Sequence, residues 1–191
     1  MNYNCLIIDD ETELSKMTQE YFEMFEVSCA TVSTADECLE FLKENTADVF
    51  LLDINLGNES GFTLCKQLRE KYDTPILFIS ARQSDDDVLV ALNIGGDDYI
   101  KKPYTLSVLL AKVKVQLKAK EFALLSCLYE HKDTIVTKEK LFDEVWGDSF
   151  YSDSTLNVHI RRLREKLEDN PNEPKYIKTI WGTGYILETN R

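Results

Sequence analysis

The sequence predicts an α/β protein of two domains. A five-stranded parallel sheet with alternating helices is expected over residues 1–117, and a smaller helical domain with a β-hairpin over residues 118–191. Three observations carry this prediction. Short apolar runs alternate five times with segments of helical spacing in the first part. Acidic or other polar residues directly follow most of these runs. The negative charge is concentrated in the same part of the chain.

The charge of the chain is unevenly divided between its two parts. The formal net charge of the 191 residues is -12. Residues 1–116 carry 21 acidic and 10 basic residues, whereas residues 117–191 carry 13 and 12. An acidic first part and a nearly neutral second part indicate two domains with different partners. Hydrophobic residues make up 43% of the chain, which is enough for packed cores and argues against wholesale disorder.

The cysteines and histidines indicate neither disulfides nor a zinc site. The five cysteines are scattered and include no Cys-x-x-Cys pair, which is typical of a reduced, cytoplasmic chain. The only histidines are His131 and His159, so the sequence argues against zinc binding. We expect no signal peptide and no membrane span, because the N-terminus lacks a basic-then-apolar segment and the apolar runs are short.

The five apolar runs have the length of buried parallel strands. The predicted strands are residues 5–8, 27–32, 49–52, 75–79 and 99–100. The predicted helices are residues 14–25, residues 35–45 with Thr34 as N-cap, residues 61–72, a segment ending near 94, and one beginning near 105. In such a sheet, binding sites form beyond the carboxyl ends of the strands.

Polar residues stand at the carboxyl ends of four predicted strands. They are Asp9 and Asp10, Asp53, Ser80 and Lys102. Three carboxylates in one crevice would repel one another without a cation, and their oxygen atoms favour Mg²⁺. A lysine and a hydroxyl nearby would bind phosphoryl oxygens, so the chemistry implied is phosphoryl transfer onto a carboxylate. Taken singly, each residue has an ordinary alternative as a solvated strand end, turn or loop charge.

Four motifs surround these polar residues. They are Leu6-Ile7-Ile8-Asp9-Asp10-Glu11, Leu51-Leu52-Asp53, Ile79-Ser80-Ala81-Arg82 and Gly95-Gly96-Asp97-Asp98-Tyr99-Ile100-Lys101-Lys102-Pro103. Through these motifs, residues 1–117 resemble the receiver domain of response regulators, which has a flavodoxin-like (βα)5 fold. The resemblance implies that Asp53 accepts a phosphoryl group from a sensor histidine kinase. It further implies that Asp10 and Asp53 bind Mg²⁺ through their side chains, Asn55 through its carbonyl, and Asp9 through water.

The same resemblance assigns a phosphate grip, a switch pair and a dimer face. Lys102 and Ser80 would hold the phosphoryl group, and Ser80 and Tyr99 would be the switch pair; alternatively, Tyr99 is a packed strand aromatic. Relatives pair charged residues across a two-fold axis in their last two β/α units. Because Val88 and Val108 replace an opposite-charge pair, we expect a more apolar dimer face, which favours dimerisation without phosphate. The residues of this face are Val88, Asp97, Asp98, Val108 and Lys112.

Residues 118–191 predict a helix-rich domain that ends in a hairpin. Thr137 is a suitable N-cap for a helix over residues 138–146, which Gly147 would end. A second helix over residues 155–167 places Leu156, Ile160, Leu163 and Leu167 toward a core, while its other face is rich in arginine. Such a face suits the DNA major groove or, alternatively, water.

Further motifs of this part include Lys120-Glu121-Phe122, Val145-Trp146-Gly147, Arg162-Leu163-Arg164 and Gly184-Tyr185. Through these motifs, residues 117–187 resemble the winged helix-turn-helix effector domain of OmpR/PhoB-type regulators. The resemblance implies binding of promoter DNA through the recognition helix 155–167. Three departures weaken this resemblance: Ser154 replaces an arginine before the recognition helix, Trp181 replaces a wing arginine that enters the minor groove in relatives, and Ile186 replaces another basic residue. Minor-groove contact by the wing is therefore not expected. The residues implied in DNA binding are Thr155, His159, Arg161, Arg162, Arg164 and Thr179.

A segment that relatives carry is missing between the two parts. Relatives have a linker and a four-stranded antiparallel platform before the motif that begins at Lys120, whereas here residues 113–117 run directly into it. Either the protein lacks this segment or the sequence is a shortened form. If the junction is genuine, we expect one fused helix from about Leu106 to Tyr129.

Three functions compete on these observations. The leading hypothesis is a transcriptional regulator controlled by phosphorylation, with a histidine kinase, promoter DNA and a second copy as partners and RNA polymerase as a further one. The alternative is a receiver that binds proteins and has an effector too short to read DNA. A phosphohydrolase is disfavoured because Asn55, and not a second aspartate, follows two residues after Asp53.

Overall fold

The computed structural model of the protein describes residues 1–82, 84–147 and 153–189. The chain divides into two compact units, Met1–Leu117 and Lys118–Arg191. Within the described residues, none of the helices combines the length and the apolar character that a membrane span requires.

The first unit contains the predicted five-stranded parallel sheet. Its strands are β1 (Cys5–Ile8), β2 (Cys29–Val32), β3 (Phe50–Asp53), β4 (Ile76–Ser80) and β5 (Asp98–Lys101). Their order across the sheet is β2-β1-β3-β4-β5, and each neighbouring pair is parallel. This order reverses direction beside β1, so the crevice between the ends of β1 and β3 is the topological switch point where such sheets bind ligands.

Helices cover both faces of this sheet. They are α1 (Thr12–Glu23), α2 (Ala35–Glu44), α3 (Gly61–Arg69), α4 (Asp85–Asn93) and the first half of α5 (Leu106–Glu130). Successive residues of β1 point to opposite faces: Leu6 and Ile8 join one core, whereas Cys5 and Ile7 join the other. The predicted cap is confirmed, since the Thr34 hydroxyl accepts a hydrogen bond of 3.1 Å from the Glu37 N–H. Two short pairs, Asn2–Tyr3 with Thr46–Ala47 and Asn55–Leu56 with Glu59–Ser60, complete the unit.

The second unit has the winged-helix architecture. Its helices are α6 (Lys138–Trp146) and α7 (Asp153–Leu167), and its strands are β6 (Val136–Thr137), β7 (Ile177–Ile180) and β8 (Gly184–Leu187). The strands form an antiparallel sheet of order β6-β8-β7, in which β7 and β8 are the predicted hairpin. The Thr137 hydroxyl caps α6 by accepting from the Lys140 N–H, and Gly147 ends the helix at φ 75°.

Residues from all three helical segments form the core of the second unit. Leu124, Trp146, Leu156, Ile160 and Tyr185 are buried in it. The prediction that Leu167 faces this core is wrong, because its side chain is 42% exposed at the last turn of α7. The side chain of Ser154, one of the three departures from the effector domain of relatives, lies outside the described residues.

The expected fused helix is present as α5. It begins at Leu106 and ends at Glu130 without a break. Leu109, Val113 and Leu117 are buried in a core of the first unit. Leu124 and Leu128 are buried in the core of the second. The same helix therefore supplies apolar residues to each unit.

Candidate functional site

Three carboxylates converge at the carboxyl end of the parallel sheet. Asp9 and Asp10 follow β1, and Asp53 ends β3, so the parallel register of these neighbouring strands brings them together. One carboxylate oxygen of each lies within 4.8 Å of those of the other two. Asp9 is 1% exposed and Asp53 is also buried, whereas Asp10 is exposed. The cluster is therefore an all-oxygen site open to solvent on one side.

Lys102 is the cation of this site. Its ammonium group lies 2.7 Å from Asp53 Oδ2, 3.0 Å from Asp9 Oδ2 and 2.7 Å from Glu11 Oε1. Burial alone would lower the pKa of Lys102, but the hydrogen bonds to these three carboxylates outweigh it and raise that pKa. The lysine therefore stays charged and offsets part of the negative charge of the cluster.

Burial shifts the pKa of Asp9 upward. Loss of water around its carboxylate is the main cause, and the negative charge of Asp53 adds to it. Hydrogen bonds from the Glu11 N–H, at 2.9 Å, and from Lys102 act in the opposite direction without cancelling the shift. An additional cation beside Asp9 would favour its ionised form.

Ser80 and Tyr99 both make hydrogen bonds to the backbone of Arg82. Ser80 is fully buried at the end of β4, and its hydroxyl accepts from the Arg82 N–H at 3.1 Å. The Tyr99 hydroxyl donates to the Arg82 carbonyl at 3.0 Å, and its ring is partly buried. Burial raises the pKa of Tyr99, so its hydroxyl remains a donor at neutral pH. The loop after β4 thus connects the two predicted switch residues.

The loop after β3 is held close to the carboxylates by backbone contacts. The Asn55 N–H donates to Asp53 Oδ1 at 2.9 Å, and the Asn55 amide oxygen accepts from Arg82 at 3.2 Å. The Gly57 N–H donates to Asp10 Oδ2 at 3.0 Å. Gly61 lies so close to β3 that an added Cβ would be 2.0 Å from the Asp53 carbonyl oxygen. Small side chains and backbone donors therefore fix the surroundings of Asp53.

Sequence reasoning missed three residues of this region. Glu11 binds Lys102, Arg82 links the loops after β3 and β4, and Gly61 packs against Asp53. Glu11 and Arg82 are the last residues of two receiver motifs, Leu6–Glu11 and Ile79–Arg82, and these positions could have indicated a role at the site. For Gly61 the available signal was weak, because a glycine at the start of a predicted helix is common without any close packing.

The residues predicted for DNA contact fall into two groups in the structure. Arg161 is well exposed and pairs with Glu165 at 3.0 Å, and Arg162 is partly exposed. Thr155 and His159 are fully buried, and the His159 ring packs against Trp146 with centroids 5.3 Å apart. Burial of these two side chains in the core does not support direct contact with bases.

Arg164 and Thr179 are partly exposed and bind each other. The Arg164 guanidinium donates to the Ile177 carbonyl at 2.7 Å and to the Thr179 hydroxyl at 2.8 Å. Burial lowers the pKa of Arg164. These bonds attach α7 to the hairpin, which is a structural role. At the hairpin tip, Trp181 is 91% exposed.

The residues predicted for the dimer face are divided between exposed apolar groups and ion pairs within the chain. Val108 is 51% exposed and Val88 is partly buried, and α4 adds Leu89 and Leu92 as exposed apolar residues. Lys112 binds Asp98 at 2.5 Å. Asp97 accepts from Arg69 at 2.6 Å and from the Ile76 N–H at 2.8 Å. Any pairing of Asp97 with a second copy would compete with these bonds.

Two family models match the chain, one for each unit. The model described as the response regulator receiver domain matches residues 5–114. The model described as the C-terminal part of transcriptional regulatory proteins matches residues 112–187.

Relatives and solved structures match nearly the whole chain. The regulatory protein VanR of Enterococcus faecium is 34% identical over an alignment of 230 residues, which includes 98% of this chain and 100% of VanR. The response regulator SaeR of Staphylococcus aureus is 31% identical, with coverage of 97% and 98%. The crystal structure of DrrB, an OmpR/PhoB homologue of Thermotoga maritima, is 29% identical at a TM-score of 0.55, with coverage of 99% and 100%. Since 230 aligned positions exceed 191 residues, VanR has positions without a counterpart here.

Proposed function

Because the chain belongs to the OmpR/PhoB-type transcriptional response regulators, we propose that Asp53 is its phosphoacceptor and that phosphorylation controls binding of promoter DNA. The donor is the phosphohistidine of a sensor kinase: its P–N bond breaks as a P–O bond forms to an Asp53 carboxylate oxygen. The chain turns over no substrate other than this phosphoryl group.

The position of Lys102 is the observation that carries the proposal. Its ammonium group bridges Asp53, Asp9 and Glu11 at the end of the sheet, at 2.7–3.0 Å from each. A lysine at this distance from the acceptor oxygen would move only slightly to bind a phosphoryl oxygen on Asp53. The charge of the incoming group would then be met by a cation that is already in place.

The donor set of the site fits Mg²⁺. Oxygen atoms of Asp9, Asp10 and Asp53 lie within 4.8 Å of one another, and Mg²⁺ prefers oxygen ligands. We propose that Asp10 and Asp53 bind it with side-chain oxygens, Asn55 with its carbonyl, and Asp9 through water. The ion would supply positive charge for the phosphoryl oxygens. The chain's own residues orient the acceptor: the Asn55 N–H holds Asp53 Oδ1, which leaves Oδ2 beside Lys102.

Ser80 and Tyr99 are the proposed switch. In the unphosphorylated chain both bind the backbone of Arg82. A phosphoryl group on Asp53 offers Ser80 a charged acceptor, which is a stronger partner than a neutral one. Movement of Ser80 and its loop would withdraw the Arg82 carbonyl from the Tyr99 hydroxyl and let the ring turn inward.

DNA contact by the second unit is proposed for the exposed side of α7. Arg161 is exposed and Arg162 is partly exposed on this side, and arginine binds both phosphates and guanine edges. The proposal no longer relies on Thr155 and His159, whose burial argues against base contact, or on Arg164 and Thr179, which bind each other.

The proposed partners follow from this role. They are a sensor histidine kinase, promoter duplex DNA, RNA polymerase and a second copy that binds the last two β/α units of the receiver. Promoter DNA as a target places the proposed site of action in the cytoplasm.

The proposal is tested by phosphorylation and DNA selection in parallel. The protein is incubated with Mg²⁺ and a small-molecule phosphodonor, and its mass is measured. We expect one added phosphoryl group, lost in Asp53→Asn and retained in the control Asp73→Asn, which changes an exposed aspartate. The same samples then select sequences from a randomised duplex pool.

The outcomes of the selection separate the competing functions. Enrichment of paired half-sites that disappears in Asp53→Asn supports a regulator gated by phosphorylation. Enrichment that is indifferent to Asp53 contradicts gating and points to dimerisation through the apolar face. Phosphorylation without any enrichment favours the alternative, a receiver that binds proteins. Failure of Asp53 to accept the group contradicts the proposal at its first step.

A further inference from the structure

A second group of metal-binding side chains lies in the winged-helix unit, outside the carboxylate site. Cys127 is on α5, His131 follows the end of that helix, and Glu144 is on α6. Cys127 Sγ is 3.1 Å from Glu144 Oε2, and His131 Nε2 is 3.5 Å from Glu144 Oε1. The possible ligand atoms of the three residues all lie within 4.8 Å of one another.

Local helical geometry brings these ligands together. The His131 N–H donates to the Cys127 carbonyl at 3.3 Å, which continues the helical pattern for one more residue. Residues four apart on a helix lie on the same face, so the thiol and the imidazole are neighbours. The packing of α6 against this face then adds the carboxylate of Glu144.

The spacing of the three groups suits a tetrahedral ion. Zn²⁺ binds sulfur at about 2.3 Å and nitrogen or oxygen at about 2.0 Å, which places neighbouring ligand atoms roughly 3.3–3.7 Å apart. The observed separations are close to this range: Cys127 Sγ lies 3.1 Å from one carboxylate oxygen of Glu144, and His131 Nε2 lies 3.5 Å from the other. A thiolate, an imidazole and a carboxylate together favour Zn²⁺ over Mg²⁺, because Mg²⁺ prefers oxygen alone.

We propose that Cys127, His131 and Glu144 form a binding site for Zn²⁺ or a similar divalent transition metal, with a fourth position open to water. Cys127 is buried, while His131 and Glu144 are partly exposed, so an ion can enter from the solvent side. A thiolate and a carboxylate match the charge of a divalent ion. Metal binding would replace the thiol proton that Cys127 now shares with Glu144.

Lys140 lies beside the proposed site and opposes metal binding. Its ammonium group lies 3.6 Å from Glu144 Oε1 and competes with a metal for this carboxylate. Removal of this charge should therefore tighten binding. If Glu144 served only as the partner of Lys140 in a surface ion pair, removal of the Lys140 charge would not change metal affinity.

The test uses Co²⁺ as a spectroscopic substitute for Zn²⁺, with excess Mg²⁺ present to occupy the carboxylate site. The full chain, stripped of metal and kept reduced, is titrated with Co²⁺ and then with Zn²⁺. We expect one Co²⁺ per chain with a thiolate-to-cobalt absorption band in the near ultraviolet, and complete displacement by Zn²⁺. The band identifies a sulfur ligand, which the carboxylate site does not contain.

Variants assign the ligands. Cys127→Ser should abolish the sulfur band. His131→Gln and Glu144→Gln should each weaken Co²⁺ binding at least about tenfold, since loss of even an outer partner of a metal ligand has this effect. Lys140→Gln should strengthen it. The control Glu139→Gln, an exposed carboxylate on the same helix, should leave it unchanged. Thermal unfolding of each variant without metal verifies that it is folded.

Several outcomes would overturn the proposal. They are a wild-type protein that shows no sulfur band at saturating Co²⁺, a band that persists in Cys127→Ser, and equal loss of affinity in Glu139→Gln and Glu144→Gln. If Cys127→Ser fails to fold, variants at the partly exposed His131 and Glu144 still decide the question. The result is independent of phosphorylation of Asp53.

Discussion

At the scale of single residues, the burial of Asp9 has a measurable consequence for stability. Its pKa is raised from 3.8 because the folded chain removes water from the carboxylate. A raised pKa means that the contribution of this group to stability is fully present below about pH 3.8 and is lost as the pH rises through the folded value. At neutral pH the ionised Asp9 therefore destabilises the folded protein.

Asp9→Asn should consequently raise the melting temperature at pH 7. The amide has the same shape without the charge, and a gain of about 1 kcal/mol raises the midpoint by roughly 2–4 °C in a chain of this size. Thermal unfolding from pH 3.5 to pH 7.5, without Mg²⁺, should show that the increase in melting temperature becomes smaller as the pH falls. Asp73→Asn, at an exposed position, is the control and should show no such trend. A gain that is equal at all pH values would contradict the role of the charge.

Glu168 shows the opposite shift in the second unit. Burial acts to raise its pKa, but the N–H groups of Ile177, Lys175 and Tyr176 donate to it at 2.8–2.9 Å and lower that pKa below 4.5. Its ionised form therefore stabilises the fold above about pH 4.5, and this contribution is lost as the pH falls through the folded value.

Glu168→Gln should destabilise the second unit by about 2–3 kcal/mol at pH 7, because charge-assisted hydrogen bonds are lost and the amide donor faces another donor. Glu165→Gln, which removes only an exposed pair with Arg161, should lower stability by about 0.3–0.5 kcal/mol. Urea unfolding followed at pH 7 and pH 4 measures both. Similar losses for the two variants at pH 7 would show that the three backbone bonds contribute little.

At the scale of secondary-structure elements, the start of α3 is set by a steric requirement. The Gly61 N–H donates to the Ile54 carbonyl at 2.8 Å, and a Cβ at Gly61 would be 2.0 Å from the Asp53 carbonyl oxygen. The clash is with backbone, so no rotamer change can relieve it. The close approach of α3 to β3 therefore depends on glycine at this position.

Gly61→Ala should lower the free energy of unfolding by about 3 kcal/mol, the upper end of what overpacking usually costs. It should also slow phosphorylation of Asp53, because the backbone at the acceptor must shift. Gly57→Ala is the comparison: its Cβ would approach only Asp10 Oδ2, at 3.9 Å, and its φ of 62° costs about 1 kcal/mol with alanine. Denaturant unfolding measures the stability of both variants, and the rate of Asp53 phosphorylation shows whether either change affects the acceptor. An unaltered rate in Gly61→Ala would argue against coupling to the acceptor.

At the scale of the whole molecule, exposed apolar side chains mark the proposed dimer face of the receiver. Val108 on α5 and Leu89, Val90 and Leu92 on α4 are exposed. Isolated apolar residues need no explanation, but a group of them on neighbouring elements indicates a contact surface. The charged residues of this face, Asp97, Asp98 and Lys112, are paired within the chain, so association through the apolar residues does not require them to pair with a second copy.

We therefore expect the unmodified chain to self-associate reversibly in sedimentation-velocity experiments. Val108→Lys should weaken this association at least about tenfold, because about 1.4 kcal/mol of lost apolar burial corresponds to that factor. Met17→Lys places the same charge on exposed α1, outside the last two β/α units, and should leave association unchanged. A wild-type chain that stays monomeric at high concentration would show that the apolar face does not drive dimerisation alone.

The sequence by itself determined the architecture and most of the candidate carboxylate site. The alternation of apolar runs with helix-spaced segments is a local property, and it predicted the five parallel strands, whereas the direct junction after residue 117 predicted the fused helix α5. Side chains that follow parallel strands must meet at one edge of the sheet, so Asp9, Asp53 and Lys102 could be placed together before any coordinates. Regular periodicity makes such contacts predictable over long separations in sequence.

Only the tertiary structure decided how side chains outside this regular pattern are used. The recognition helix was predicted, but packing against Trp146 buried His159, and the hairpin bound Arg164 through Ile177 and Thr179. The meeting of Cys127 and His131 with Glu144 also depends on the packing of two helices, and the scattered cysteines and two histidines of the sequence did not predict it. Such contacts depend on the angle and rotation at which elements pack, and no local pattern of residues specifies these quantities.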